Sequence, residues 1–430
     1  MGGHQDRRRQ ELIAYLFGLH RFGMRLGLER IEALLARLGK PQRRFASVHV
    51  AGTNGKGSTA AALASILTKA GLRTGLYTSP HLVRPEERIA IDGVPIAPEE
   101  FVELVARVRP LVDELGATFF EAITAMAFLY FAEREVEIAV VEVGMGGRLD
   151  ATNVLHPLLS LITSIDLDHV EHLGATVSDI AREKAGIMKP GVPCLTSAVN
   201  AEALTVLHTV ATSLRAPFHT LEELFRVTDV ELEQEVTTFS LVNERVAFRG
   251  LRSPLVGEHQ VSNCALAVSA AHLLSHHDAR ITPAAIRTGL ENTRWPGRLQ
   301  RIAEHPTTLV DVAHNPEAMR CVASALQLFA FRRLLVVMGV MRDKDYQAMV
   351  AAIAPLASVA IAVAPATPRA LPAQEMAAAF RAHGVHTHEA DSPRAGVALA
   401  RRLATAEDLV LCTGSHYTVG EVLAAAEQGQ

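Results

Sequence analysis

A chain of 430 residues, 49% hydrophobic and 20% charged, is long enough for two or three globular domains. Its formal net charge of −4 argues against a nucleic-acid-binding protein. The cysteines (Cys194, Cys264, Cys321, Cys412) are dispersed and include no CxxC pair, which argues against a disulfide framework or a thiolate zinc site.

Arg7-Arg8-Arg9 imitates a signal n-region, but the residues that follow alternate charged and apolar like an amphipathic helix. No apolar run reaches bilayer length, so a cytoplasmic protein without membrane contact is expected. Residues 11–18 and 28–38 have helical periodicity. Between them, Arg21-Phe22-Gly23-Met24-Arg25-Leu26-Gly27 is a loop.

Val48-His49-Val50-Ala51 is a β-favouring run that enters Gly52-Thr53-Asn54-Gly55-Lys56-Gly57-Ser58-Thr59, and an alanine-rich helix follows over residues 57–70. Strand, glycine-rich loop and helix make a triphosphate site. Glycines let backbone N–H groups approach an anion, the helix N-terminus adds partial positive charge, and Lys56 adds a full one. The match to the standard P-loop is imperfect. Gly57 stands where that motif carries its Mg²⁺-binding hydroxyl, and Val50 takes the place of its first glycine. This points to a subclass whose metal takes its ligands elsewhere.

A strand over residues 73–77 runs into Thr78-Ser79-Pro80-His81-Leu82, with Arg84, Glu87 and Arg88 just beyond. Hydroxyls, a histidine and arginines past a strand's carboxyl end lie where open α/β sheets bind ligands. Helices are expected over residues 98–115 and, opened by Thr118-Phe119-Phe120-Glu121, through residue 132. A buried strand over 138–143 carries Glu142, which is costly to bury unless paired or metal-bound, as a Walker-B-type acid is. The loop continues through Gly144 and Arg148 to Leu149-Asp150-Ala151-Thr152-Asn153. The next strand, 158–164, ends in Ile165-Asp166-Leu167-Asp168-His169, and His169 is a candidate ligand beside Glu142. Lys184 lies on a short helix over 180–187, before a strand over 192–196.

Alternation within residues 224–248 predicts antiparallel strands at a sheet edge. Gly257-Glu258-His259-Gln260 caps a helix over 261–274 with Asn263 in its first turn, and another helix covers 283–290. Trp295-Pro296-Gly297-Arg298 is the best domain boundary. Strands at 308–312, 334–339, 359–363 and 409–412 then alternate with helices at 317–328, 346–353, 372–383, 393–404 and 419–426. The fold class is therefore α/β: a P-loop ATPase-type, mostly parallel sheet domain over 1–295, followed by a smaller Rossmann-like α/β domain over 296–430. The second domain has no phosphate loop. Its polar strand-end loops are Asp311-Val312-Ala313-His314-Asn315-Pro316, Met341 to Asp345, and Thr413-Gly414-Ser415-His416-Tyr417.

Taken in order, these stretches resemble the dihydrofolate synthase/folylpolyglutamate synthase family of the Mur ligase superfamily. The resemblance rests on His49 to Ser58, Thr78 to Leu82, Val141 to Asn153, Asp168-His169, Glu183-Lys184-Ala185-Gly186-Ile187, Gly257 to Gln260, Trp295 to Arg298, Asp311 to Pro316 and Thr413 to Ser415. It implies an ATP-dependent ligase adding L-glutamate to dihydropteroate and to reduced folates. ATP would be held by Asn54, Gly55, Lys56, Gly57, Ser58, Asn263, Arg298 and Asp311. Two Mg²⁺ ions are implied, with Ser79, Glu142, His169 and a CO₂-carboxylated Lys184 as ligands. Arg25, Leu26, Gly27, Arg84, Thr118, Phe119, Phe120, Glu121, Leu149, Asp150 and Ala151 match the pterin side. His314 and Ser415 match positions associated with glutamate. Lys56, Lys184 and His314 carry the catalytic expectation, and the chain is expected to act as a monomer. A substrate carboxylate would attack the γ-phosphate, and glutamate's amine would attack the resulting acyl phosphate. The alternatives are a glutamate-adding synthase alone, a Mur-type cell-wall ligase, or a nucleotide switch, which has no need of Glu142, His169 and Lys184 together.

Overall fold

The computed structural model describes residues 2–19, 23, 27–168 and 170–428. Its main sheet has eight strands: β1 (Ala46–Ala51), β2 (Thr74–Tyr77), β3 (Ile89–Ile91), β4 (Val94–Pro95), β5 (Ile138–Glu142), β6 (Leu159–Ile162), β7 (Cys194–Thr196) and β8 (Phe218–Thr220). They lie in the order β4-β3-β2-β5-β1-β6-β7-β8. From β2 to β8 the pairing is parallel; β3 and β4 fold back antiparallel at one edge. β1 therefore sits between β5 and β6, with Val50 opposite Glu142 and Ala51 opposite Ile162. The loops that leave these three strands open on one crevice, which is where such sheets bind ligands.

The helix Lys56–Lys69 is apolar nearly all round, as expected of an element buried on every side. Ala60, Leu63, Ile66 and Leu67 pack against Val48 and Val50 on the sheet and against Val261, Ala265 and Leu266 of the helix Glu258–Leu274. The opposite face is covered by the helices Glu29–Arg37, Pro98–Leu115 and Phe119–Glu133, through Leu34, Phe101, Met126 and Phe128.

Residues 224–248 do not extend the main sheet, contrary to the sequence-based expectation. β9 (Arg226–Leu232), β10 (Thr237–Val242) and β11 (Ala247–Ser253) form a separate three-stranded antiparallel sheet. The physical reason is its apolar face: Phe239, Leu241, Phe248 and Leu251 bury themselves in the core shared with the helix Glu258–Leu274. Glu258, His259 and Gln260 form that helix's first turn and do not precede it; Gly257 is the cap.

The second sheet comprises β12 (Gln300–Glu304), β13 (Thr307–Val310), β14 (Leu334–Met338), β15 (Ala357–Val363), β16 (His386–Ala390) and β17 (Leu409–Thr413), ordered β12-β13-β17-β14-β15-β16. Only β12 is antiparallel. Met319, Met349, Met376 and Phe380 cover one face; Val397, Ala400, Val419 and Val422 cover the other. Residues 292–299 connect the two sheets' helices and strands. The loop after β2 reaches the second sheet's helices: Leu82 and Val83 pack on that core, and a Cβ on Gly420 would fall 2.0 Å from the Leu82 carbonyl. No helix among the described residues is long and apolar enough to cross a membrane.

Candidate active site

The phosphate loop is built by close approaches that only glycine permits. Gly55 takes φ +85° as the N-cap of the helix Lys56–Lys69, and a Cβ there would lie 2.1 Å from Asn263 Oδ1. Gly57 lies against the indole of Trp295, with the ring 2.7 Å from where a Cβ would be. Trp295 thus occupies the space of the hydroxyl that the standard motif places here, and Ser58 is buried behind it. Lys56 Nζ donates to the carbonyls of Gly52 and Thr53, each at 3.0 Å. The loop after β6 braces this turn: Thr53 N–H donates to the Ser164 carbonyl at 2.7 Å and Thr163 Oγ1 to the Asn54 carbonyl at 2.6 Å.

Glu142 ends β5 with 4% exposure, and burial raises its carboxyl above the ordinary carboxylate range. One oxygen accepts the Ser79 N–H at 2.9 Å. Lys56, Arg298 and Arg88 lie close enough to oppose that rise by their charge. Lys184 is 3% exposed, with Nζ donating to the Gly52 carbonyl at 2.8 Å. Burial, then the charge of Lys56, pushes its amine down to about 7. Arg298 Nε is buried with no hydrogen-bond partner among the described residues, and its guanidinium is held near Asp311 and Glu142.

The donor set fits Mg²⁺. Among the described residues no three acids, histidines or thiols converge to hold an ion unaided. Mg²⁺ beside a nucleotide needs only one or two carboxylates, the rest coming from water and phosphates. Glu142, whose carboxylate bonds the backbone N–H of Ser79, would supply hard oxygen, and so would the Ser79 hydroxyl and a carboxylated Lys184. His169 lies outside the described residues.

The second sheet brings its strand-end loops to this crevice. Asp311 is buried, its carboxylate accepting the N–H groups of Leu299 at 2.9 Å and Ala313 at 2.8 Å. It therefore shapes the turn that carries Arg298 and His314. His314 Nδ1 bonds the Val312 carbonyl at 3.0 Å, which places the proton on Nδ1 and leaves Nε2 as an acceptor. Burial, with Lys344 nearby, pushes this imidazole down to about 4. Asp168 receives Lys344 Nζ at 2.7 Å and Asn315 Nδ2 at 3.3 Å, with His314 Nε2 3.9 Å away.

Residues 50–271 match the Mur ligase middle domain, and residues 297–416 match the Mur ligase glutamate ligase domain. The dihydrofolate synthase/folylpolyglutamate synthase of Bacillus subtilis is 38% identical over 96% of this chain and 98% of its own. Its Escherichia coli counterpart is 32% identical over 96% and 94%. The chain is a Mur ligase of the dihydrofolate synthase/folylpolyglutamate synthase family. Among solved structures, Mycobacterium tuberculosis folylpolyglutamate synthase complexed with ADP superposes with TM-score 0.90 at 34% identity, covering 96% of this chain and 99% of that one. Escherichia coli FolC in complex with DHPP and ADP superposes with TM-score 0.88 at 30% identity, over 97% and 98%. The family is one of ATP-dependent ligases, as the phosphate loop implied.

Of the positions matched to the pterin side, some pack beside the crevice and others hold the protein's own loops and helices together. Phe119 stacks on Phe17 at 5.7 Å, and the Arg88 guanidinium lies 5.2 Å over its ring. Arg88 also donates to His81 Nδ1 at 2.8 Å. Phe120 covers Gly144, where a Cβ would fall 2.4 Å from the ring, so it walls the loop after Glu142. Leu149 is half-buried and Ala151 buried beside them.

Other matched positions are not brought to the cleft as free groups. Glu121 is consumed internally: it accepts the N–H and hydroxyl of Thr118, each at 2.8 Å, as a capping box, and pairs with Arg30 at 3.1 Å. Asp150 holds its own loop, accepting the N–H groups of Met145 and Thr152 at 3.0 Å each. Arg84 turns to Glu427 of the helix His416–Gln428 at 2.8 Å. Ser415 is 3% exposed and caps that helix, its hydroxyl donating to Gly339 or Thr418 and accepting the Thr418 N–H. In this structure the hydroxyl's donor and one of its acceptor sites are engaged within the second sheet's own loops. Gly27 has φ +126° beside Glu29; Arg25 and Leu26 lie outside the described residues. Sequence reasoning missed Asn315, Lys344 and Trp295 as members of the site. Each stood in a stretch already noted, but nothing local says what it touches.

Proposed function

We propose that this ligase activates the carboxylate of dihydropteroate, and of reduced folates, with ATP and joins it to the amine of L-glutamate. The observation that carries the reading is the convergence on Gly52: Lys56 and Lys184 bond its carbonyl while Glu142 and Arg298 lie within electrostatic reach of Lys56. Lys56 and the helix N-terminus at Gly55 receive the triphosphate, and Arg298, with an unpartnered Nε, receives a phosphate oxygen. Asn263, pressed on Gly55, fixes the loop tip.

The substrate carboxylate oxygen bonds to the γ-phosphorus, the bond to the β–γ bridging oxygen breaks, and ADP leaves. The glutamate amine then bonds to the acyl carbon, loses a proton, and inorganic phosphate departs. The protein's task is alignment and charge neutralisation. Ser79, Glu142, His169 and a carboxylated Lys184 would hold Mg²⁺, which would supply charge neutralisation at the phosphates. Lys184 is suited to carboxylation: an amine with pKa about 7 has a substantial neutral fraction near neutral pH, and the neutral nitrogen can bond CO₂ with release of a proton. His314, with a pKa of about 4, is too weak a base to hold the amine's proton. We assign it to accepting a hydrogen bond from glutamate at Nε2.

The bifunctional reading is supported by the paired names of the Bacillus subtilis and Escherichia coli relatives and by the DHPP bound in the latter's structure. The test runs one assay on two substrates with ATP, Mg²⁺ and L-glutamate, and identifies products by mass. One glutamate added to both dihydropteroate and tetrahydrofolate is expected. Product from tetrahydrofolate alone reduces the protein to a folylpolyglutamate synthase; product from neither overturns the reading.

A further inference from the structure

Polar contacts tie the second sheet's loops to the phosphate loop and to the loop after β6. Lys344 Nζ sits 2.7 Å from Asp168 Oδ1, with side chains 8% and 10% exposed. Asn315 Nδ2 donates to Asn54 Oδ1 at 2.8 Å and reaches Asp168 Oδ2 at 3.3 Å. Both groups stand on stiff supports. Asn315 Oδ1 caps the helix Pro316–Ala325 through the Ala318 N–H at 2.9 Å, and the Lys344 N–H closes a turn on the Met341 carbonyl. Asn54 is itself a phosphate-loop residue, braced by Thr163.

We propose that Lys344 and Asn315 are positioning residues: they clasp Asp168 and Asn54 across the crevice and so set the distance of His314 and Arg298 from the phosphate loop. A desolvated ion pair is held firmly because removing either partner strands a buried charge. Two amides bonded side chain to side chain fix the register of the two loops as well as their separation. Lys56 and the helix N-terminus at Gly55, which the clasp does not touch, stay on the first sheet, so the clasp acts mainly through the reach of Arg298 and His314 into the crevice. It rests on the ligase reading, because turnover is where the geometry is read.

The experiment uses the full chain and the variants Lys344→Met, Lys344→Arg, Asp168→Asn and the Lys344→Met/Asp168→Asn double. Lys344→Met is expected to lose roughly 10- to 100-fold in kcat, as a misplacement of about an ångström does. ADP affinity is expected to change less than kcat, the thermal midpoint to fall because a buried ion pair is broken, and Lys344→Arg to recover most of the loss in kcat. The double variant is expected to be no worse than Asp168→Asn, since both changes break one contact. With ADP bound, small-angle scattering is expected to show a larger radius of gyration for Lys344→Met. Parental kcat and radius in Lys344→Met would overturn the proposal, and so would losses that multiply in the double variant. If the parent protein turned over no folate, the ligase reading would fall. The scattering comparison would still decide whether the clasp exists.

Discussion

Lys56 and Lys184 donate to one carbonyl, that of Gly52, at 3.0 and 2.8 Å. Two ammonium groups so close repel each other, and this repulsion adds to burial in lowering the Lys184 pKa. The proposed carboxylation would remove the conflict, since the second cation would become an anion beside Lys56. Lys184→Ala is expected to lower kcat by about 100-fold, the scale of one lost electrostatic contact to the reacting centre. A short carboxylate such as acetate should restore part of the activity. Equal kcat in parent and variant would remove Lys184 from the mechanism.

Gly57→Ser restores the hydroxyl of the standard phosphate loop yet should not improve the enzyme. Its Cβ would meet the Trp295 ring at 2.7 Å. Overpacking of this kind costs about 1–3 kcal/mol, readable as a shift in urea midpoint. A variant as stable as the parent would show that Trp295 moves aside freely.

His49 is fully buried, with Nε2 2.8 Å from the Thr152 hydroxyl. Burial, assisted by Lys189, pushes its imidazole from an ordinary 6.5 down to about 3. The unfolded chain therefore takes up the proton first. This contribution to stability is complete above about pH 6.5 and is lost as pH falls toward 3. Urea midpoints between about pH 7 and pH 4 should fall in the parent and fall less in His49→Asn. Identical slopes would assign the acid sensitivity to other groups.

Glu121→Ala should damage stability and spare the folate KM, because the carboxylate caps its own helix and pairs with Arg30. The loss should be about 2–3 kcal/mol, below that of a fully buried pair because Arg30 keeps 25% of its side chain exposed. A raised KM with unchanged stability would return Glu121 to the pterin site.

The sequence was most informative where neighbours in the chain are neighbours in space. The phosphate loop, Glu142 at the end of β5, and the alternation of strand and helix all depend on contiguous residues. Edges were harder: β16, His-Thr-His-Glu-Ala, has no apolar alternation because it lies at the sheet's border, and the hairpin β3–β4 is too short to show a period. The helix Ala201–Leu214 was missed although Asn200 caps it. Contacts across the crevice were not legible at all. Asn315 finds Asn54 only after both sheets have formed; Lys184 finds Gly52, and Trp295 finds Gly57, only once segments distant in the chain have folded together. Asp150 and Ser415 are the opposite case: their partners Met145, Thr152 and Thr418 lie within five residues in the chain, so a local turn or cap was open to a sequence reading that did not consider it.

The central claim, that a carboxylate is activated as an acyl phosphate at Lys56 and Glu142, is tested most directly with heavy oxygen in the substrate carboxylate. Dihydropteroate so labelled would be turned over with ATP, Mg²⁺ and L-glutamate, and the released phosphate weighed. One labelled oxygen in each phosphate formed with dihydrofolate is the predicted result. Unlabelled phosphate accompanying dihydrofolate would contradict the account, because the carboxylate would then have reached glutamate without ever bonding to phosphorus.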